Sequence, residues 1–325
     1  MSQLKLFFCK LLLFTAFFMG TYSALLFAMT HLKIGGNKFV YRAVQGLVWK
    51  GGFSYDRFRE FNPDEKYDIL VFGSSRANRG IDPHSFERAG YSIYNLGTDD
   101  QTPINTCVMV KEFVKKNNCR LVLLDVYDKV FSQNPLESNS DLIQNLNNDD
   151  DAFKMTLAAG DLRAVNQFGV RLMLKNQQPE YKAATDLYKG FRGLEDVFHY
   201  SDETHLYFSM PRQLSAFEET LKYLSSIDVP CLITCQPLPK VPVKHDAFIK
   251  DIQPILKKYN LTLYDFTDNR SLVNPSGFAD MSHLNSDGAK RYSDFLADSL
   301  VNKIISNAKQ VAGKDIINSK LEIIN

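Results

Sequence analysis

The sequence predicts an α/β domain built on a parallel sheet and preceded by one membrane-spanning helix. Five short apolar runs have the character of buried strands, and amphipathic segments alternate with them. Near the N-terminus, twenty consecutive residues carry no charge, and twenty helical residues rise about 30 Å, the thickness of a bilayer core. The net charge of +1 and the absence of a long basic run argue against nucleic-acid binding.

The uncharged stretch covers residues 11–30. We expect it to be an uncleaved anchor lying within residues 1–32. A cleaved signal peptide is the alternative, but it needs a shorter apolar core and a small-x-small site, and the run continues past the weak candidate around Ser23 and Ala24. Cations lie on both sides of the run, so the positive-inside rule does not decide its orientation.

The candidate strands define a domain over residues 66–305, joined to the anchor by a connector at 33–65. Strand-helix alternation predicts right-handed crossovers, three α/β/α layers and the strand order 2-1-3-4-5. The predicted strands are 67–73, 91–97, 120–126, 230–236 and 261–266. The predicted helices are 102–118, 213–227 and 285–305.

The connection between the third and fourth strands is about a hundred residues long, more than a compact crossover needs. We expect residues 129–210 to form a mainly helical insert that covers or flanks the site. Long connections at the carboxyl edge of a sheet commonly carry specificity, so the insert is also expected to set the substrate. Residues 306–325 form an unassigned C-terminal tail.

Three separate segments that follow strands carry the groups needed for acyl transfer. Gly73 and Ser75 follow the first strand, Gly97 ends the second, and the segment after the last contains Asp280 and His283. The carboxyl ends of parallel strands meet at one edge, where ligands bind. A serine attacks when a histidine takes its proton, an acid orients the imidazole, and a nearby amide stabilises the oxyanion. The pattern therefore predicts a serine nucleophile at Ser74 or Ser75, with His283 as base and Asp280 as orienting acid.

Three blocks of the chain resemble those of the SGNH/GDSL hydrolase superfamily. They are FGSSR (72–76), NLGTDDQTP (95–103) and DMSHLNSDG (280–288). The resemblance covers residues 66–126 and 229–305 and implies a flavodoxin-like three-layer α/β/α sandwich. It also implies that Ser75 is the nucleophile, with Asp280 and His283 as its acid and base, and that the amide of Gly97 contributes to the oxyanion hole.

One block departs from that family. Its third block usually supplies an Asn side chain to the oxyanion hole, but the third strand here ends LLDVYDK (123–129). Members lacking that Asn include membrane-anchored proteins that help acylate cell-envelope polymers, and the chain resembles that branch. Gln101 and Arg76 are the candidates for the missing oxyanion or substrate contact.

The resemblance implies a serine esterase or acyltransferase that acts on O-acyl groups, acetyl above all, of a cell-envelope glycan. The expected partners are an acylated glycan or small ester, the membrane, and a multi-pass membrane acyltransferase, with the domain outside the cytoplasm. The alternative is an accessory protein with little or no turnover that binds glycan or such an acyltransferase.

Each candidate side chain has a structural alternative. Ser75 could cap a helix, Ser74 is the rival nucleophile, and Arg76 could pair at the surface with Asp82 or Asp99. The cysteines have no metal-ligand spacing, so neither a metal nor a cofactor is predicted. Four histidines without a spacing signal are expected to be solvated: His84, His199, His205 and His245.

Overall fold

The computed structural model describes residues 3–181, 187–195 and 206–305. The helices are α1 (Gln3–His31), α2 (Val40–Ala43), α3 (Gly52–Glu60), α4 (Ser75–Gly80), α5 (Pro83–Arg88), α6 (Pro103–Phe113), α7 (Asp128–Ser132), α8 (Leu136–Asn145), α9 (Asp149–Ala159), α10 (Leu162–Leu174), α11 (Pro211–Ser226), α12 (His245–Lys258) and α13 (Ser286–Phe295). The strands are β1 (Lys33–Ile34), β2 (Asn37–Lys38), β3 (Tyr67–Phe72), β4 (Ile93–Asn95), β5 (Cys119–Asp125), β6 (Cys231–Cys235) and β7 (Leu263–Asp265). The predicted tail at 306–325, His199 and His205 lie outside the described residues.

The main sheet contains five parallel strands in the order β4-β3-β5-β6-β7. Counted along the chain from β3, this is the order 2-1-3-4-5, so the predicted topology is confirmed. Ile69 in the middle of β3 lies opposite Ile93 on one side and Leu121 on the other. The second and fifth strands, β4 and β7, are shorter than predicted, with three residues each.

Side chains of the sheet alternate between two cores, as strands buried on both faces require. Leu70 and Phe72 of β3 pack in one core with α6, α11 and α12. Ile69 and Val71 pack in the other with α4, α5 and α13. These two helical layers enclose the sheet and confirm the α/β/α arrangement.

The residues between β5 and α11 are helical in their first part. Helices α7 to α10 follow one another from Asp128 to Leu174, and Leu142 and Ile143 of α8 are buried in the first core. Among the elements that were not predicted are α4, α5, the helix α12, which carries Pro254 inside it, and the antiparallel pair β1–β2 in the connector.

Helix α1 is the single described helix that is long and apolar enough to cross a membrane. It has 29 residues, and most of its side chains are exposed. Its last third packs against α10 and the connector, with Leu26 buried. A 3₁₀ turn at Pro275–Gly277 precedes α13, and a π-helical segment at Leu296–Val301 continues it.

Candidate active site

The turn after β3 presents the hydroxyl of Ser75 to the site and uses Ser74 as a helix cap. Gly73 has φ +152°, and a Cβ there would lie 2.8 Å from the Asp125 carbonyl oxygen, so only glycine fits between the strands. The Ser74 hydroxyl accepts a hydrogen bond from the Arg76 amide at 3.3 Å and caps α4. Ser75 is the first helical residue, and its hydroxyl is left for another partner.

That partner is His283, which reaches Ser75 across the sheet edge. The Ser75 Oγ lies 2.8 Å from His283 Nε2. On the other side of the ring, Nδ1 lies 2.8 Å from Asp280 Oδ2 and 3.0 Å from Oδ1. Ser75 is 9% exposed, whereas the Asp280 side chain is 49% exposed. The structure therefore brings together the three side chains Ser75, His283 and Asp280.

The loop before α13 fixes the Asp280 carboxylate. Its Oδ1 accepts hydrogen bonds from the amides of Ser282 at 2.7 Å and His283 at 2.9 Å. Burial raises the pKa of Asp280, but the hydrogen bonds from the His283 ring and these amides outweigh burial and lower it to about 2. A carboxylate only accepts, so Nδ1 of a neutral His283 carries the proton and Nε2 is free to accept the Ser75 proton.

The Gly97 amide, which was predicted to contribute to the oxyanion hole, already has a side-chain acceptor. It donates to Asn95 Oδ1 at 3.0 Å, and Asn95 Nδ2 donates to the carbonyls of Ala77 at 2.8 Å and Ile81 at 3.0 Å. A Cβ at Gly97 would lie 2.8 Å from the Ala77 Cβ. The glycine therefore lets the loop pack closely on α4, and its amide already has a side-chain acceptor.

Gln101 was predicted to contact the oxyanion or the substrate, but its side chain makes hydrogen bonds to neighbouring residues of its own loop and helix. Its Oε1 accepts from the Thr98 amide at 3.1 Å and hydroxyl at 3.0 Å, and its Nε2 donates to Thr106 Oγ1 at 2.9 Å. The side chain is buried. Gln101 thus holds the turn after Gly97.

Arg76, a candidate for the oxyanion or substrate contact, is buried and not at the surface. It is 1% exposed, its Nη2 donates to the Gln236 carbonyl at 2.5 Å, and its guanidinium lies 4.6 Å from the Tyr127 ring centre. Gln236 Nε2 donates back to the Arg76 carbonyl at 2.9 Å. The proposed surface partners bind elsewhere, since Asp99 pairs with Arg79 and Asp82 with His84. Arg76 therefore ties the serine turn to the end of β6.

A buried carboxyl lies behind that turn. Burial raises the pKa of Asp125 to about 6, although the charge of Arg76 opposes the shift. Neither Asp125 oxygen, nor Nε and Nη1 of Arg76, has a hydrogen-bond partner in the described residues. Sequence reasoning did not identify this pair of groups.

Part of the predicted insert flanks the site. We call residues 187–195 the flanking segment. The Arg192 amide donates to the Asn78 carbonyl of α4 at 2.8 Å, and the Leu194 carbonyl accepts from the Ser286 amide at 2.7 Å. The segment therefore joins the helix that begins at Ser75 to the helix that follows His283.

His245 was predicted to be solvated, but it is buried between two acids. Its Nδ1 lies 3.2 Å from Asp128 Oδ2 and its Nε2 lies 3.0 Å from Asp265 Oδ2. Burial lowers the pKa of His245, but the two carboxylates outweigh burial and raise it to about 9. The two acids come from separate elements, Asp128 from the start of α7 after β5 and Asp265 from the end of β7, so no local spacing links them to His245.

A serine hydroxyl, an imidazole and a carboxylate in one hydrogen-bonded chain, at the carboxyl edge of a parallel sheet, are the groups that a serine hydrolase uses. No model of a known protein family matches the chain, and no curated protein matches its sequence.

The solved structures to which the chain is similar include an acylhydrolase, GDSL-like lipases and an acetyl xylan esterase. One, described as an acylhydrolase from Bacteroides fragilis, has 14% identity and a TM-score of 0.42 over 78% of this chain and 95% of that one. A GDSL-like lipase from Bacteroides thetaiotaomicron has 11% identity and a TM-score of 0.40 over 79% and 99%. A mutant acetyl-xylooligosaccharide esterase from Geobacillus has 12% identity and a TM-score of 0.35 over 71% and 93%. At these values the likeness assigns no activity to this chain.

Proposed function

We propose that the chain is a serine ester hydrolase or acyltransferase with Ser75 as nucleophile. One observation carries the proposal: the Ser75 hydroxyl lies 2.8 Å from His283 Nε2, while His283 Nδ1 lies 2.8 Å from Asp280. A serine needs a base within hydrogen-bond reach, and a histidine needs its tautomer fixed to act as that base. Both conditions are met by these contacts.

The reaction proceeds in two balanced steps. Ser75 Oγ attacks an ester carbonyl while His283 Nε2 takes the hydroxyl proton, and collapse of the tetrahedral intermediate breaks the ester C–O bond and returns that proton to the leaving alkoxide. A water molecule or a sugar hydroxyl then attacks the acyl-Ser75 ester and gives its proton to His283. Collapse returns the proton to Ser75 and releases the acid or the new ester.

The amide of Ser75 is the oxyanion donor that the local geometry supports best. The first N–H of a helix has no acceptor within that helix, and Ser75 is the first residue of α4. The Gly97 amide is bonded to Asn95, so a donor is missing unless this loop moves. Each lost donor costs about 10²–10³ in rate, and slow turnover follows.

The substrate class and location extend the proposal. The resemblance to membrane-anchored envelope-acylation proteins, together with the apolar length of α1, supports an O-acylated, preferably O-acetylated, envelope glycan as substrate. The same features support single-pass anchoring by α1, a domain outside the cytoplasm and a multi-pass membrane acyltransferase as partner.

A second candidate function is that of an accessory protein with little turnover. The occupied Gly97 amide and the absence of an Asn after β5 favour it. In that case Ser75 and His283 would hold or receive an acyl group from a partner instead of hydrolysing esters by themselves.

Ester hydrolysis by the full-length chain in detergent micelles tests the proposal. With p-nitrophenyl acetate, Ser75→Ala and His283→Ala are each expected to lower kcat/KM by about 10³-fold or more, since removing either member leaves only binding and oxyanion contacts. Adding a hydroxyl acceptor and measuring the new ester against free acetate distinguishes transfer from hydrolysis.

His84→Ala is the matched control, because His84 also pairs with an aspartate, Asp82, at 2.8 Å but is half exposed. This variant is expected to stay within about twofold of the parent, as surface changes commonly do. Equal losses in the His84 and His283 variants, or full activity in Ser75→Ala, would contradict the proposal. A folded parent chain without measurable hydrolysis would favour the accessory function.

A further inference from the structure

Helix α1 leaves the domain along α10, through two close contacts. The Tyr22 hydroxyl donates to Asn166 Oδ1 at 2.7 Å. Three residues further along α10, a Cβ on Gly169 would lie 3.0 Å from Leu26 Cδ1, so the helices touch where a glycine leaves room. The last part of the apolar helix is therefore packed on the domain.

The charges of α1 locate this contact relative to a bilayer. Lys10 is followed by the uncharged residues 11–30, which rise about 30 Å and so just match a hydrocarbon core. Residues 22–30, the part that lies along α10, make up about the last 13 Å of that span. When residues 11–30 cross the membrane, α10 must therefore lie at the level of the lipid boundary.

The surface of α9 and α10 is apolar beside this contact. Leu162 is 82% exposed and Leu157 is 63% exposed. Leu162 lies on the face of α10 that also carries Gly169, the residue that touches α1, because these positions are seven apart. We call the exposed large apolar residues of the two helices the α9–α10 patch: Phe153, Leu157, Leu162, Val165 and Leu172.

The charges near the patch are largely neutralised. Arg163 pairs with Asp161 at 2.6 Å, and Lys154 pairs with Glu112 at 2.5 Å. The patch therefore has no strong cationic character to attract anionic lipids, and its affinity for a bilayer would come from burial of apolar area.

We propose that the α9–α10 patch is immersed in the boundary between headgroups and acyl chains, on the side of the membrane where the domain lies. The proposal rests on α1 being the membrane anchor. The chain is then attached at two places, α1 and the patch, and the domain cannot rotate freely about α1. Attachment by the patch is insensitive to salt and needs no anionic lipid.

Fluorescence of the full chain in phosphatidylcholine nanodiscs tests this proposal. A single environment-sensitive label is placed on Leu162→Cys in a Cys9→Ser background, and quenching is measured with lipids brominated near the headgroup end of the acyl chain. The four remaining cysteines are suited to this background, because three are buried and burial raises the pKa of the Cys231 thiol as well.

Two further labels make the outcomes distinct. Phe17→Cys reports on α1 itself, and Val243→Cys reports on an exposed apolar position outside α1 and the insert. We expect quenching at positions 17 and 162 to exceed that at 243 by about threefold or more, unchanged between low and high salt, for residues buried 5–10 Å in the interface.

Three results would overturn the proposal. Quenching at position 17 alone would show that α1 is in the membrane and that the patch is not. Absence of quenching at both positions would show that neither α1 nor the patch is in the membrane. A blue shift at 162 that needs native membranes and is absent in pure lipid identifies a protein as the occupant. None of these results bears on ester hydrolysis, which is measured separately.

Discussion

Replacing Asp280 by Asn and by Ala is expected to give two different losses of activity, with Asn the more severe. Asn is nearly isosteric with Asp, but its amide group donates where the carboxylate accepts. Asp280 contacts both His283 Nδ1 and two backbone amides. The order of the two variants therefore reports on the tautomer of His283.

The hydrogen bonds determine how an Asn side chain would orient. Oδ1 of Asp280 accepts the amides of Ser282 and His283, at 2.7 and 2.9 Å. If an NH₂ group faced those amides, two donors would lose their acceptor at about 1–3 kcal/mol each when buried. The Asn oxygen should therefore stay on the amides, and its NH₂ should face Nδ1. His283 would then carry its proton on Nε2 and could not accept the Ser75 proton.

The expected magnitude follows from this tautomer. Asp280→Asn should lower kcat/KM by about 10⁴, as the wrong tautomer does in a serine hydrolase. Asp280→Ala should lower it less, because the aspartate side chain is 49% exposed and water can accept from Nδ1 in its place. The assay is p-nitrophenyl acetate hydrolysis, with circular dichroism to check the fold. If the Asn variant retains more activity than the Ala variant, the side-chain NH₂ group of the Asn variant does not face His283 Nδ1.

Three more predictions concern the stability that Arg76 contributes, the pH dependence of stability, and selectivity between ester substrates. Arg76→Met should lower the free energy of unfolding by about 1.5–3 kcal/mol, because a charged hydrogen bond to Gln236 is lost; thermal unfolding with Arg79→Met as control checks this, and equal effects would count against it. Since the pKa of His245 is raised from 6.5 to about 9, its contribution to stability is full below pH 6.5 and is lost as pH rises through 9; Tm measured from pH 6 to 10 should fall less in His245→Gln, and identical slopes would refute the assignment. Gly193→Val should change the preference between short and long acyl esters, because a Cβ there would lie 2.6 Å from Ser286 Oγ; unchanged preference would remove the flanking segment from substrate choice.

The sheet and the pairing of Ser75 with His283 followed from the sequence because both depend on regular patterns. Strands buried on both faces are apolar throughout, as Ile69 and Val71 illustrate. Parallel strands place their carboxyl ends together, so residues 208 positions apart could be expected to meet. Only the ends of short strands such as β4 were misplaced, since pairing and not propensity determines where they stop.

Contacts made by individual polar side chains could not be predicted in this way. The Gly97 amide was predicted to stabilise the oxyanion, but it donates a hydrogen bond to the side chain of Asn95, two residues earlier. Arg76 was a candidate for the oxyanion or substrate contact, with a surface pair as the alternative, yet it is held by Gln236, 160 residues away. His245 was expected in solvent because its two acids come from separate elements. Such contacts depend on packing that no local spacing records.

Covalent labelling with a fluorophosphonate, read by intact mass and peptide mapping of the full-length chain, tests the central claim most directly. Ser75 is expected to gain one phosphonyl group, since it lies 2.8 Å from the His283 imidazole. Ser75→Ala should remain unlabelled, His283→Ala should label far more slowly, and Ser74→Ala should still label, because the Ser74 hydroxyl only caps α4. A folded chain that stays unlabelled, or that is labelled as fast without Ser75, would contradict the assignment of Ser75 as nucleophile.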